Sequence, residues 1–357
     1  MALNKNDLVQ LGKIALNANP SAPTSYSFNG QNLTYAAINE TLRNELNELA
    51  ATHAMYRENK NLIFSIIEEV MDDVLPKRVS ERYMELAETK VFKQGDKPEF
   101  RRNRTNNRRA KQFITRVGLA GRYEVFKLGR KTESFQVPTS ALGGAAQIGL
   151  EEFLDGRIDM AEVLNVIMQG IDETIQEEVA KSLIGALNQL PTNNKAIVNG
   201  WDEATMDHLI SIASAYGTPV IYCTREFAVR MNPDASYLTE RMKEQIWNNG
   251  WLGSYKGTRV VILEQSFEDE TNSRKVIDPS YAWVIPTGAD GKPVKIAMEG
   301  DTLVDEEKNH DWSRDVHVYK KVGVVTMFNN SVCCYHDESL GMDVVLPDLA
   351  PELQPKA

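Results

Sequence analysis

The chain has 357 residues, enough for about two to three domains, and it carries 42% hydrophobic residues, 25% charged residues and a net charge of −10. That balance belongs to an ordinary globular protein and excludes a disordered or fibrous one. No run approaches the roughly 18 consecutive apolar residues of a membrane-spanning helix. Met1 to Pro20 scatter their apolar positions among Asn, Asp and Lys, unlike a secretory signal. The expectation is a chain that is made and stays in a cytosol, with no membrane partner. The charge itself is unevenly spread. Lys90 to Lys131 hold fourteen Lys or Arg and three acids, a balance of +11, against −21 for the rest of the chain. One basic segment thus sits in an acidic protein.

Residues 17–35 are rich in Asn, Ser, Pro and Thr and read as an extended arm. A helix follows, with Ile38, Leu42, Leu46 and Leu49 on one stripe. A second carries Ile63, Ile66, Ile67, Val70 and Val74 and is expected to end at Pro76. Both stripes are narrow and need cover from a core or a neighbour. The basic stretch comes next. Arg101 to Arg109 reads RRNRTNNRR, and strand-like pieces flank it at Lys90–Phe92, Gln112–Val117 and Tyr123–Leu128. This predicts a long two-stranded hairpin with a basic tip. Such a ribbon is marginal alone in water and would be stabilised by lying on another surface.

Gly143 to Gly149, GGAAQIG, lacks both the GxGxxG spacing and a following GK[ST], so it is read as a flexible entry to the next element and not as a phosphate loop. From Asp159 to Leu187, apolar residues recur at steps of three and four: Val163, Leu164, Ile167, Ile171, Ile175, Val179 and Leu183 among them. This predicts a long helix that Asp159 can cap, with Pro191 beyond its end. Beyond it come short α and β units: helices over Asp202–Tyr216, Thr224–Met231 and Thr239–Asn248, and strands over Thr218–Cys223, Arg259–Leu263 and Val332–Tyr335. Tyr281–Pro286 and Pro293–Met298 flank Asp290-Gly291 and predict a hairpin, and Asp315–Phe328 a long strand broken at Gly323.

Chemistry is sparse. The five histidines, His53, His208, His310, His317 and His336, form no HExxH pair, and there is no GxSxG elbow. The three cysteines, Cys223, Cys333 and Cys334, include no CxxC pair, which argues against a zinc site or a disulfide framework. His336 is close in sequence to two of them but has no third orienting group. Asp301, Asp305, Glu306 and Glu307 read as a solvated acidic loop and not as a cation site, since no EF-hand pattern surrounds them. The basic tip would attract phosphates. Yet residues 98–112 hold a single aromatic residue, Phe100, for base stacking. The acidic body of another copy is an equally available partner for it.

The order of elements resembles that of tailed-bacteriophage major capsid proteins, whose fold recurs in encapsulin shells. The resemblance rests on Glu133–Asp159 (ESFQVPTSALGGAAQIGLEEFLDGRID), Gly217–Met231 (GTPVIYCTREFAVRM), Gly250–Leu263 (GWLGSYKGTRVVIL) and Asp315–Asn330 (DVHVYKKVGVVTMFNN), and by order of elements it covers about 300 residues. It implies an α+β fold of the Hong Kong 97 phage type. The arm with its helices would be 1–86 and the extended basic hairpin 87–132. A peripheral domain with the spine helix would take 133–192 and 306–357, and an axial α/β domain 193–305. It implies no catalytic, cofactor or metal site. Candidate interface residues are Arg101, Arg102, Arg104, Arg108, Arg109 and Lys111, and the candidate spine core is Leu164, Ile167, Ile171 and Ile175. Some relatives crosslink a hairpin lysine to a neighbour; Lys93, Lys97 and Lys111 are available, and nothing singles one out. The implied partners are other copies in pentamers and hexamers, a separate scaffolding protein, a portal and packaged DNA. The implied location is the virion capsid, with assembly in the host cytoplasm. An encapsulin-like compartment, and a nucleic-acid-binding protein that uses the hairpin, remain as alternatives.

Overall fold

Described in the computed structural model are residues 4–17, 25–28, 30–49, 52–103, 132–148, 160–232, 239–287, 292–308, 314–328 and 330–343. In chain order the first elements are α1 (Lys5–Asn17), β1 (Tyr26–Phe28), β2 (Gln31–Leu33), α2 (Tyr35–Leu49), α3 (His53–Arg82), β3 (Ala87–Phe92), β4 (Glu99–Asn103), β5 (Thr132–Gln136), β6 (Ser140–Ile148) and α4 (Met160–Gly185). Then come β7 (Lys195–Val198), α5 (Glu203–Ser214), β8 (Thr218–Cys223), α6 (Arg225–Arg230), α7 (Glu240–Asn249), β9 (Ser254–Tyr255), β10 (Thr258–Ile262), β11 (Tyr281–Thr287), β12 (Val294–Lys308), β13 (Arg314–Thr326) and β14 (Cys333–Asp337). The chain divides into two units. One comprises Met1–Phe100, Gln136–Ile175 and Val294–Val325, the other Arg101–Phe135, Gln176–Pro293 and Thr326–Ala357.

The first unit begins with a helix that the sequence reading missed. Asn4 and Asp7 close a reciprocal cap on α1, each backbone N–H donating to the other's side chain at 3.3 and 3.0 Å. Leu8, Val9, Leu11 and Ala15 are buried. Thr52 caps α3, accepting from the Met55 N–H at 3.3 Å. The helix has 30 residues, roughly 45 Å at 1.5 Å per residue. It does not end at Pro76, which lies inside it. A proline removes one helical donor and costs about 3 kcal/mol. Here Val74, Leu75 and Val79 are buried around it, and that packing holds the helix through the break.

This unit's sheet runs β3-β12-β13-β6. β3 pairs parallel to β12, from Ala87 opposite Val294 to Phe92 opposite Glu299, and β6 pairs antiparallel to β13 with Gly143 opposite Tyr319. Helix α3 is bound to β12 by a match of periods. Glu68 and Asp72 lie one helical turn apart, about 6 Å, and accept from the backbone N–H groups of Val304 (3.0 Å) and Thr302 (2.8 Å). Those groups are two strand residues apart, about 6.6 Å. The same Asp72 oxygen takes the Lys320 ammonium at 2.6 Å. Lys320, whose side chain is 1% exposed, also donates to the Gly300 carbonyl at 2.7 Å.

Two further expectations are corrected in this unit. GGAAQ is strand, not a flexible entry: Gly143 and Gly144 lie within β6. A Cβ on Gly144 would sit 3.1 Å from Ile167, and one on Gly143 2.9 Å from the Tyr319 ring, so each glycine admits a close neighbour on its own face. Asp301 to Glu307 are also strand, the second half of β12. Thr302 and Val304 are buried while Asp301, Leu303, Asp305 and Glu307 are exposed, an alternation that their acid content obscured.

The second unit is built on a sheet of order β7-β14-β11-β8-β10-β9. β8 and β10 pair parallel, as do β7 and β14, while β11 is antiparallel to both β8 and β14. Met206, Leu209, Ile221, Phe227, Val284 and Tyr335 share its core. Buried Tyr335 satisfies its hydroxyl by donating to the Gly200 carbonyl (2.9 Å) and accepting from the Asp202 N–H (2.8 Å). Asp202 in turn caps α5. The expected hairpin around Asp290-Gly291 does not form: β11 and β12 join different sheets. Nor is β13 broken at Gly323. A Cβ at Gly323 would lie 2.2 Å from the Pro138 carbonyl oxygen, so the glycine serves close approach and not a bend.

Candidate assembly surfaces

The described ends of the basic segment are β4 and β5, which form a two-stranded sheet. Arg101 to Asn103 belong to β4, so the first of the arginines lie in the stem. Arg101 is exposed, and Arg102 is described as backbone only. Arg104, Arg108, Arg109 and Lys111, and the expected strands Gln112–Val117 and Tyr123–Leu128, lie outside the described residues.

The root of this segment is anchored on β12. Glu299 accepts from the Gly95 N–H at 3.2 Å on the way in and from the Thr139 hydroxyl at 2.6 Å on the way out, with the Lys321 ammonium 3.5 Å away. The Thr139 hydroxyl, then the Gly95 N–H and Lys321, hold the Glu299 carboxyl below its usual range. Across the root, the Val137 N–H donates to the Pro98 carbonyl at 2.9 Å. Phe100 is fully buried, with the ammonium groups of Lys90 and Lys295 at 4.9 and 5.8 Å from its ring centre. Lys295 is also paired with Glu88. One anchored carboxylate thus ties both flanks of the basic ribbon to the sheet.

Beyond that root the same sheet face is bare. Thr302 and Lys320 meet α3 through Asp72, so their strand neighbours Leu303 and Tyr319 point the opposite way. Leu303 is 55% exposed and Tyr319 44%. On β6 the floor is small: Ala141, Gly143 and Ala145 are all exposed. Asp301, Asp305 and Glu307 supply a row of carboxylates along β12. Sequence reasoning missed this face. The signal was present in the alternation from 301 to 307.

In the spine helix, Ile167, Ile171 and Ile175 are buried, Ile167 against Gly144 of β6. The side chain of Leu164 lies outside the described residues. Arg82, in the last turn of α3, forms an ion pair with Asp172 of the spine. In the second unit Gln176 of the spine donates to the Glu264 carbonyl at 2.7 Å. Trp247 on α7 is 89% exposed, and none of that helix's residues is buried.

The thiols are poorly placed for nucleophilic work. All three cysteines are free and buried, and burial pushes Cys223 and Cys333 up to about 12 and Cys334 well above its usual value. His336 stacks on Tyr281 with ring centres 4.4 Å apart. Among the described residues there is no group of metal-ligating side chains, and no helix is long and apolar enough to cross a membrane.

A family model, that of the "SPbeta prophage-derived putative capsid protein YonB", matches residues 13–335. The chain belongs to that family. It is thereby a structural, shell-forming protein of α+β fold. No curated protein sequence matches it. Among solved structures it is similar to a phage-related protein of Bordetella bronchiseptica RB50, at 14% identity over 75% of this chain and 97% of that one, with a TM-score of 0.48. It is similar also to the acid-stable capsid of Helicobacter pylori bacteriophage KHP30, at 12% identity over 71% and 90% of the two chains and a TM-score of 0.46. A third is the SrpI encapsulin complex of Synechococcus elongatus PCC 7942, at 10% identity over 77% and 92%, with a TM-score of 0.42. Family membership rests on the match over 13–335 and not on these distant likenesses.

Proposed function

We infer that the protein is the major capsid protein of a tailed bacteriophage and builds an icosahedral or prolate shell from pentamers and hexamers of itself. The observation that carries this reading is the family match over residues 13–335. The order of elements supports it: helical arm, root of an extended ribbon, spine helix, α/β sheet and returning strand. The reading includes a separate scaffolding protein, a portal and DNA as cargo, with assembly in the host cytoplasm. It is a non-catalytic role, which the burial of the three thiols supports. In this reading the domain roles are those of arm, hairpin, peripheral and axial segments, and Arg101, Arg102, Arg104, Arg108, Arg109 and Lys111 contact another copy and not nucleic acid.

Sedimentation of nuclease-treated protein, with and without scaffold, tests the reading. Wild type is expected as capsomers or shells at micromolar concentration. Changing Arg101, Arg102, Arg104, Arg108 and Arg109 to Gln is expected to impair assembly and leave the subunit folded. If that variant forms normal shells and loses only DNA binding, the ribbon is a nucleic-acid element and its assignment to a subunit interface falls.

A further inference from the structure

We propose that the bare face of the first unit's sheet is the seat for the basic ribbon of a neighbouring copy; this rests on the shell reading above. The face is made by alternate residues of three adjacent strands: Asp301, Leu303 and Glu307 of β12, Tyr319 of β13, and Ala141 and Gly143 of β6. Its opposite side is occupied, since Thr302 and Lys320 meet α3 and Gly144 meets Ile167 of the spine. The outward side therefore has apolar area that nothing in its own unit removes from water, with Leu303 at 55% and Tyr319 at 44% exposure.

Three features select an extended, basic occupant. First, the β6 floor is almost without side chains. Gly143 lets the Tyr319 ring lie flat across it, because a Cβ there would stand 2.9 Å from the ring. A flat floor admits a backbone, whereas a bulky helix would sit high on it. Second, the carboxylates recur at strand spacing. Alternate positions are about 6.7 Å apart, so Asp301 and Glu307 are separated by about 20 Å along β12. A ribbon with basic residues at alternate positions meets such a row in register; Arg102 and Arg104, and Arg109 and Lys111, have that spacing in the sequence. Third, the first half of the same face is already covered by this chain's own ribbon root. Phe100 is buried there beside Lys295, and Glu299 grips Gly95 and Thr139. The face is thus built to carry ribbon, and its open half lacks a segment. Six Lys or Arg fall between residues 101 and 111, and the rest of the chain is acidic, so the complementary partner is a second copy. Screening over roughly 8 Å at physiological salt restricts the attraction to close contact and makes it salt-sensitive.

The test is a charge exchange with scaffold supplied. Asp301→Lys with Glu307→Lys is expected to abolish shell formation while leaving the melting temperature of the free subunit unchanged, because both side chains are exposed. Changing Arg101, Arg102, Arg104, Arg108 and Arg109 to Glu is expected to do the same. Combining both sets is expected to restore shells. A contact reading independent of folding comes from Leu303→Cys, which adds an exposed thiol to a chain whose own three are buried. In assembled particles of mixed isotope-labelled copies, a thiol–amine crosslinker should join position 303 of one copy to Lys111, Lys127 or Lys131 of another. Normal shells from the Asp301/Glu307 variant, or crosslinks confined to other segments, would overturn the seat and leave the shell reading intact. Failure of wild type to form any shell would instead overturn the shell reading.

Discussion

Replacing Asp72 with alanine removes one carboxylate and strands three donors. Lys320, with its side chain 1% exposed, keeps only the Gly300 carbonyl at 2.7 Å, and the Thr302 N–H and hydroxyl lose their acceptor. Breaking a buried pair from one side costs about 3–5 kcal/mol, because the surviving charge is left in a poor solvent. The unpaired N–H adds to this by about 1–3 kcal/mol, less than additively. At about 2–4 °C per kcal/mol for a unit of this size, the pair alone corresponds to a loss of roughly 6–20 °C in melting temperature. Lys320→Met should cost much less: it removes the buried charge, and Asp72 keeps Thr302 and partial access to water, at 28% exposure. The double variant should then be more stable than Asp72→Ala alone, a coupling that two independent sites would not give. Thermal unfolding of the unassembled subunit, followed by circular dichroism, reads all four proteins. If Asp72→Ala melts no lower than Lys320→Met, or if the two losses simply add, then α3 is not held to the sheet by this pair.

Three further outcomes are expected. Ile171→Asp puts a carboxylate into the buried spine stripe, at a cost of several kcal/mol, so insoluble or unfolded protein is expected in expression and melting trials; wild-type stability would remove the stripe from the core. The Glu299 carboxyl is held below its usual range, chiefly by the Thr139 hydroxyl. Its contribution is therefore complete above the unfolded-state carboxyl range and is lost as pH falls through the lower folded value. Glu299→Gln should lower the melting temperature at neutral pH, and the gap to wild type should close on titration towards pH 3; a gap independent of pH would contradict the ionised anchor. Cys223, Cys333 and Cys334 should be silent to Ellman's reagent in the native protein and react together on denaturation; a fast native thiol would contradict their burial.

Local periodicity made some elements readable and not others. The spine stripe was legible because Ile167, Ile171 and Ile175 repeat at helical spacing and are buried. Thr218–Cys223 was legible as a strand because it is an apolar, β-branched run inside a covered sheet. Features that depend on distant partners were not. Pro76 marks a helix end in isolation, and only the burial of Leu75 and Val79 shows why the helix continues. Asp290-Gly291 looks like a turn, but the strands on either side pair with β8 and β3, partners no local pattern reveals. The acidic run from Asp301 concealed a strand because its inward positions include Thr302, whose burial depends on Asp72 some 230 positions away. Of the candidate interface, the charge asymmetry was legible. The bare face opposite α3 was not, because exposure of Leu303 and Tyr319 follows from which side of the sheet the helix covers.

The central claim is assembly, and electron microscopy of the purified protein tests it most directly. Nuclease-treated protein, imaged in negative stain with and without a co-expressed scaffolding protein, should show closed, regular shells of uniform diameter. Fields of monomers in both preparations, from protein that melts cooperatively and is therefore folded, would contradict the account.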